Sequence, residues 1–134
     1  MSRLDVIPPP PGDTGTALFR WLTDVRRVVG LETLRSVAFQ GAWVNFGAPY
    51  QEAGYWVRGG EVRLTGVVKG GAVNSAIFML PAGFRPAAQT VFNQRCASGT
   101  ARVDVRADGQ VYLNDAGADT AWLSLDGIIF RIGG

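Results

Sequence analysis

The sequence contains no histidine and a single cysteine, Cys96. The first absence removes Ser-His-Asp and Cys-His catalysis, His-ligated zinc and the usual general base near neutral pH. The second removes an intrachain disulfide and any multi-cysteine metal site. Lys69 is the only lysine; the arginines are scattered from Arg3 to Arg131, with Arg26-Arg27 the one adjacent pair. Nucleic-acid binders gather such charge into a patch or stripe, so no nucleic acid is expected as a partner. No apolar run approaches ~18 residues, so no membrane insertion is expected. Residues 1–11 lack the apolar segment of a signal peptide. Charged residues make up only 18% of the 134 residues, against about 25% in an average soluble chain. A chain this small, with 47% hydrophobic residues, either packs unusually well alone or covers surface by oligomerising, and the second is expected here.

Three segments follow one another. Val6 and Ile7 precede Pro8-Pro9-Pro10-Pro11-Gly12. Proline lacks an amide donor and favours an extended path. Residues 1–12 read either as a disordered leader or as a docking arm, anchored on another protein through Leu4, Val6, Ile7, Pro8 and Pro9. Asp13 or Thr14 then suits a helix N-cap. Ala17, Leu18, Trp21, Leu22, Val25, Val28 and Val29 recur at spacings of three and four up to a stop at Gly30. Residues 13–30 are expected as an amphipathic helix. Its Leu18, Trp21, Val25 and Val28 stripe either folds back on the next domain or pairs with copies of itself as a stem.

Beyond residue 34 the period becomes two. Strands are expected at about 35–40, 42–46, 54–58, 61–68, 75–80, 90–97, 101–106, 110–113, 121–125 and 128–132. Gly59-Gly60 and Asp108-Gly109 mark hairpins, the latter as a two-residue type I′ turn. Asp126-Gly127 reads as a turn or as a bulge in one long strand. Short strands with a turn about every ten residues indicate an all-β sandwich or barrel over residues 34–134. Ile77, Phe78, Met79 and Leu80 are apolar on both strand faces. One face then meets the core, and the other needs a second cover such as a neighbouring subunit.

The order of motifs carries a resemblance. Gly41-Ala42-Trp43-Val44-Asn45-Phe46-Gly47 comes first, followed by Val67-Val68-Lys69-Gly70-Gly71. Next come Leu80-Pro81-Ala82-Gly83-Phe84-Arg85-Pro86, the Asp108-Gly109 hairpin, and Trp122-Leu123-Ser124-Leu125-Asp126-Gly127-Ile128-Ile129-Phe130. Over residues 41–131 this set resembles the C-terminal knob of tailed-bacteriophage tail-fibre and minor tail proteins, the receptor-binding type. The resemblance implies a β-sandwich or jelly-roll-like knob, trimeric around the short N-terminal helix. It implies a virion structural protein at the tail tip, assembled in the host cytoplasm. Another tail or baseplate protein would hold its arm, and the knob would contact the host surface. A purely structural tail or decoration role stays open beside this.

If a host is contacted, an envelope saccharide is the expected ligand. Exposed aromatics would stack on it, and Asn, Asp and Arg would bind its hydroxyls. Tyr50, Trp56, Asn93, Arg95, Asn114, Asp115 and Asp119 are the candidates. The 114–120 segment carries too few oxygen ligands for calcium, so no metal and no cofactor are expected. A glycosidase would need two carboxylates in a cleft, one with a raised pKa. No pair among the eleven acids sits in such a setting, so no enzyme is expected. Pro81 should end a strand, Phe84 should pack over one end of the domain, and Arg85 should pair with a carboxylate or bind loop carbonyls.

Overall fold

The computed structural model describes residues 33–133. The arm with Val6, Ile7, Pro8 and Pro9, and the helix with Leu18, Trp21, Val25 and Val28, lie outside the described residues. The described unit begins at Leu34.

Among the described residues every regular element is a strand. They are β1 (Arg35–Ser36), β2 (Val44–Asn45), β3 (Gly54–Arg58), β4 (Glu61–Thr65), β5 (Val67–Lys69), β6 (Ser75–Met79), β7 (Thr90–Cys96), β8 (Gly99–Val105), β9 (Gln110–Leu113), β10 (Leu123–Ser124) and β11 (Ile129–Arg131). A four-stranded sheet runs β1-β3-β4-β11, and a seven-stranded sheet runs β2-β5-β10-β7-β8-β9-β6. All pairings are antiparallel. The knob is an all-β, two-sheet fold, as its alternating sequence requires.

Alternation supplies the core. Val62 and Leu64 of β4, Ala101, Val103 and Val105 of β8, and Val111 and Leu113 of β9 are buried. They join Trp43, Phe78, Leu80, Leu123, Leu125, Ile128 and Phe130 in one cluster. Burying such side chains stabilises the fold by roughly 1.5–3 kcal/mol each. Trp43 lies so close to Gly71 that a Cβ there would sit 2.0 Å from its ring, and its Nε1 donates to Ser75 Oγ at 3.0 Å.

The expected strand at 61–68 is two strands in two sheets. Gly66, at φ +111°, breaks it, and an added Cβ there would lie 2.5 Å from Ala53 Cα. Only glycine adopts that angle without strain or clash. The partner ribbon bends at the same level, between β10 and β11. There Thr65 and Gly66 on one strand face Leu125, Asp126 and Gly127 on the other, as the registers on either side require. Asp126-Gly127 is a turn, with Ile128 N donating to Leu125 O at 3.4 Å and Gly127 at φ +87°; its extra residue carries the ribbon around the corner from one sheet to the other, as a bulge does.

Two turn assignments change places. Gly59-Gly60, at φ +59° and +81° between paired Arg58 and Glu61, forms the type I′ turn. At Asp108-Gly109 only the glycine has a positive φ. Arg106 N donates to Gln110 O, and Gly109 N donates to Arg106 O, both at 2.9 Å. This is a three-residue loop with glycine at the bulge position rather than a two-residue turn.

The stretch at 75–80 also reads differently. The register of β6 shifts between Ala76 and Phe78. Successive residues Ile77 and Phe78 are both fully buried, as is Leu80, while Met79 is exposed. The bulge lets one chain cover Ile77, Phe78 and Leu80, so their burial requires no neighbouring subunit. Of the expected 35–40 and 42–46 strands, only β1 and β2 form, together with an isolated bridge from Phe39 to Phe78.

Candidate functional site

The corner between the sheets is held from both sides. Asp126 Oδ1 accepts hydrogen bonds from Gly66 N and Thr65 Oγ1, each at 2.7 Å. Leu125 N donates to Gly66 O at 2.7 Å. Beneath it, the buried side chain of Gln94 on β7 donates from Nε2 to Ser124 O at 3.0 Å and Asp126 O at 2.9 Å. A buried amide with both hydrogens used fixes the strand it touches.

On the outer side of this corner lies a concavity of about 350 Å³, lined by Tyr50, Val67, Arg95, Trp122, Ser124 and Asp126. Trp122, Ser124 and Asp126 share the outward side of the strand because Leu123 and Leu125 are buried. Arg95 is exposed on β7, between the inward Gln94 and Cys96. Tyr50 is 53% exposed. Its ring meets Phe46 edge-on, with centroids 5.2 Å apart. Four polar groups here make no hydrogen bond or ion pair to other described residues: the Tyr50 hydroxyl, Trp122 Nε1, the Arg95 guanidinium and Asp126 Oδ2. The concavity thus combines two amphipathic aromatic rings with one free cationic donor and one free anionic acceptor.

Of the seven residues selected from sequence, the fold brings Tyr50 and Arg95 to one site. Asn93 faces outward on the same strand as Arg95, paired with Arg102. Trp56 is half-buried on β3, in the other sheet, opposite Arg63. Asn114, Asp115 and Asp119 each make structural hydrogen bonds away from this concavity. Asn114 Nδ2 donates to Asp104 Oδ2 at 3.0 Å. Asp115 accepts from Arg102 N and Gly117 N, and Asp119 accepts from Ala121 N. Sequence reasoning missed Trp122, Ser124 and Asp126. The available signal was their spacing of two around Leu123 and Leu125, which puts all three on one outward face.

A second polar cluster sits on β8. Asp104 is fully buried, and it accepts from Arg102 Nε at 2.8 Å, Arg102 Nη2 at 3.0 Å, Gln89 Nε2 at 2.7 Å and Asn114 Nδ2. Burial pushes the carboxyl pKa up, but the bonds from Arg102, Asn114 and Gln89 outweigh it and hold the group below the ordinary carboxylate range. The same pair raises Arg102. Asp108 is also lowered, by hydrogen bonds from Gln110. Cys96 is buried 3.6 Å from Ser98 Oγ. Burial pushes its thiol up, and hydrogen bonds from the Asp119 backbone, Ser98 and Gly99 bring it below its ordinary value.

The remaining motif residues lock the fold. Arg85 Nε donates to Leu80 O at 2.8 Å, and Leu80 N donates to Gly109 O at 2.8 Å. Phe84 packs edge-on against Tyr55 with centroids 5.5 Å apart, and Arg35 lies 5.1 Å from the Phe84 ring centre. A larger open groove of about 760 Å³ runs past Val91, Phe92, Ile129, Phe130 and Ile132. Among the described residues no three His, Cys, Asp or Glu side chains come together as metal ligands, and no helix is long and apolar enough to cross a membrane.

No protein-family model matches the sequence, and no curated protein matches it closely. A solved structure does resemble it: the crystal structure of the receptor binding protein gp15 of Listeria phage PSA. The two chains are 18% identical, the alignment covers 92% of this chain and 80% of gp15, and the TM-score is 0.62. The chain has a fold like that of a phage receptor-binding tail protein.

Proposed function

We propose that this chain is a non-catalytic receptor-binding knob at the tip of a phage tail. The fold shared with gp15 carries this reading, and the order of motifs along residues 41–131 supports it. In this reading the protein is a homotrimer assembled in the host cytoplasm. Its N-terminal arm docks onto another tail or baseplate protein, and its knob meets an envelope saccharide. The trimer rests on the low charge fraction and on apolar side chains left in solvent, notably Val91 at 57% and Ile129 at 39% exposure. A binding role is favoured because the concavity is lined by one carboxylate, Asp126, where a glycosidase needs two.

Light scattering on a sizing column tests the assembly. A mass near three times 14.3 kDa is expected for the full chain. Pull-down of labelled protein by cell walls from a panel of bacteria tests the attachment. A monomer that no wall retains sinks this reading.

A further inference from the structure

We propose that the corner concavity of Tyr50, Arg95, Trp122, Ser124 and Asp126 is a subsite for one neutral pyranose unit with adjacent free hydroxyls. The inference rests on the attachment reading and assigns it a place and a ligand class.

The size fits: about 350 Å³ lies at the small end of ligand pockets, which run from roughly 300 to 1,000 Å³. The chemistry fits more closely. A pyranose has apolar ring faces and a rim of hydroxyls that both donate and accept. Trp122 and Tyr50 offer rings with a polar tip, suited to a ligand that is apolar on one side and wet on the other. Arg95 supplies donors in a fixed fork, and Asp126 Oδ2 supplies an acceptor. A pair of neighbouring hydroxyls can accept from the first and donate to the second. Charge-assisted bonds of this kind are about twice as strong as neutral ones.

The charge balance selects the class. Arg95 alone would attract phosphate or carboxylate. Asp126 lines the same space, and its free oxygen repels an anion placed there. A cationic sugar meets Arg95 in the same way. A neutral ring satisfies both groups without conflict.

Preorganisation supports the assignment. Asp126 is fixed through Oδ1 to Gly66 and Thr65, and its backbone is fixed by Gln94. The free oxygen is therefore held in place before any ligand arrives. A groove presented on a rigid corner loses less entropy on binding than one on a mobile loop.

The test follows the indole Nε1–H signals of the ¹⁵N-labelled full chain, with Trp122 assigned through Trp122→Phe. The probes are methyl glycosides of glucose, galactose, mannose, rhamnose and N-acetylglucosamine. Glucuronate, glucose 6-phosphate and glucosamine serve as charged comparators. At least one neutral glycoside should shift the Trp122 signal with a dissociation constant in the millimolar range. Arg95→Ala, at an exposed position, should weaken it at least tenfold with an unchanged melting temperature. Asp126→Asn keeps the Oδ1 acceptor and should weaken it comparably. No shift with any neutral glycoside overturns the proposal, as does equal or tighter binding of the charged probes. Retained binding in Arg95→Ala overturns it too. Wall pull-down separates the two readings. Glycoside binding without any wall retention defeats attachment but keeps the subsite, whereas wall retention without glycoside binding defeats the subsite alone.

Discussion

The corner at 125–127 and the loop at 114–120 have similar compositions: acids and glycine next to a strand end. Both contain turns, yet their side chains are used differently. In the loop, Asp115 and Asp119 accept from backbone two residues on, as Asx residues do wherever the chain bends, and Asp115 also accepts from Arg102 N on β8. At the corner, Asp126 reaches across to residues about sixty positions away, through one oxygen only. Long-range anchoring by one oxygen leaves the other for a ligand. Local anchoring, as of Asp119 through its own single oxygen, ties the loop only to itself and fixes less.

Glycine replacement should give the widest separation between the two regions. Gly66→Ala places a methyl group 2.5 Å from Ala53 Cα, at a φ of +111°. The expected cost is about 3 kcal/mol or more, because neither backbone can give way. Gly117→Ala places its methyl 3.5 Å from Asp115 Oδ1, an ordinary contact. Its expected effect lies within about 0.5 kcal/mol of zero. Urea unfolding of the two variants measures this directly. Equal costs would show that the corner is no more constrained than the loop.

Truncating the acids narrows the contrast. Asp126→Ala strands the buried Gly66 N–H and frees Thr65, for an expected loss of about 2–3 kcal/mol. Asp119→Ala removes one bond to the exposed Ala121 N–H, for an expected loss of about 1 kcal/mol or less. The melting temperatures of the two variants should rank accordingly. If Asp119→Ala falls further, the loop rather than the corner secures this part of the knob.

Sequence periodicity exposes most of this fold because its strands have one buried face. Val62, Leu64, Val103, Val105, Val111 and Leu113 announce their sheets in that way. It fails where the chain changes sheets. A strand that bends at Gly66 keeps its apolar alternation almost unbroken, so 61–68 looks continuous. A bulge puts Ile77 and Phe78 in the core together, which in sequence mimics a strand covered on both faces. The Asp-Gly pair at 108–109 fits two loop lengths, and the pairing of Arg106 with Gln110 selects the longer. The site was legible in part. Tyr50 and Arg95 could be chosen by residue type, but their meeting with Trp122 and Asp126 depends on β7 lying beside β10. Local pattern does not encode that neighbour relation. The motifs that carry the family resemblance are mainly locks: Trp43 over Gly71, Arg85 on Leu80 and Asp126 on Gly66. Resemblance of this kind reports fold more directly than ligand.

Acid should separate the two regions most finely, because only the loop is tied to a buried carboxylate. Asp104 holds Asn114 at the loop's entrance, along with Arg102 and Gln89. Its folded pKa lies below the ordinary value, which is about 3.9 in an unfolded chain. A depressed carboxyl contributes its full stabilisation above that ordinary value. The contribution is lost as pH falls from there through the folded pKa. Asp104→Asn should cost about 2 kcal/mol at neutral pH, since it loses charge-assisted bonds inside a buried cluster. It should also flatten the decline of stability in acid. Hydrogen exchange on the wild type should then show amides 115–119 losing protection as pH falls below about 3.9, and the pH dependence of that loss should weaken in Asp104→Asn. The corner at 64–66 and 125–127 is clamped in addition by the Gln94 amide bonds, which carry no charge. Simultaneous loss in both regions would mean that the corner depends on the Asp104 cluster and that the two turns form one cooperative unit.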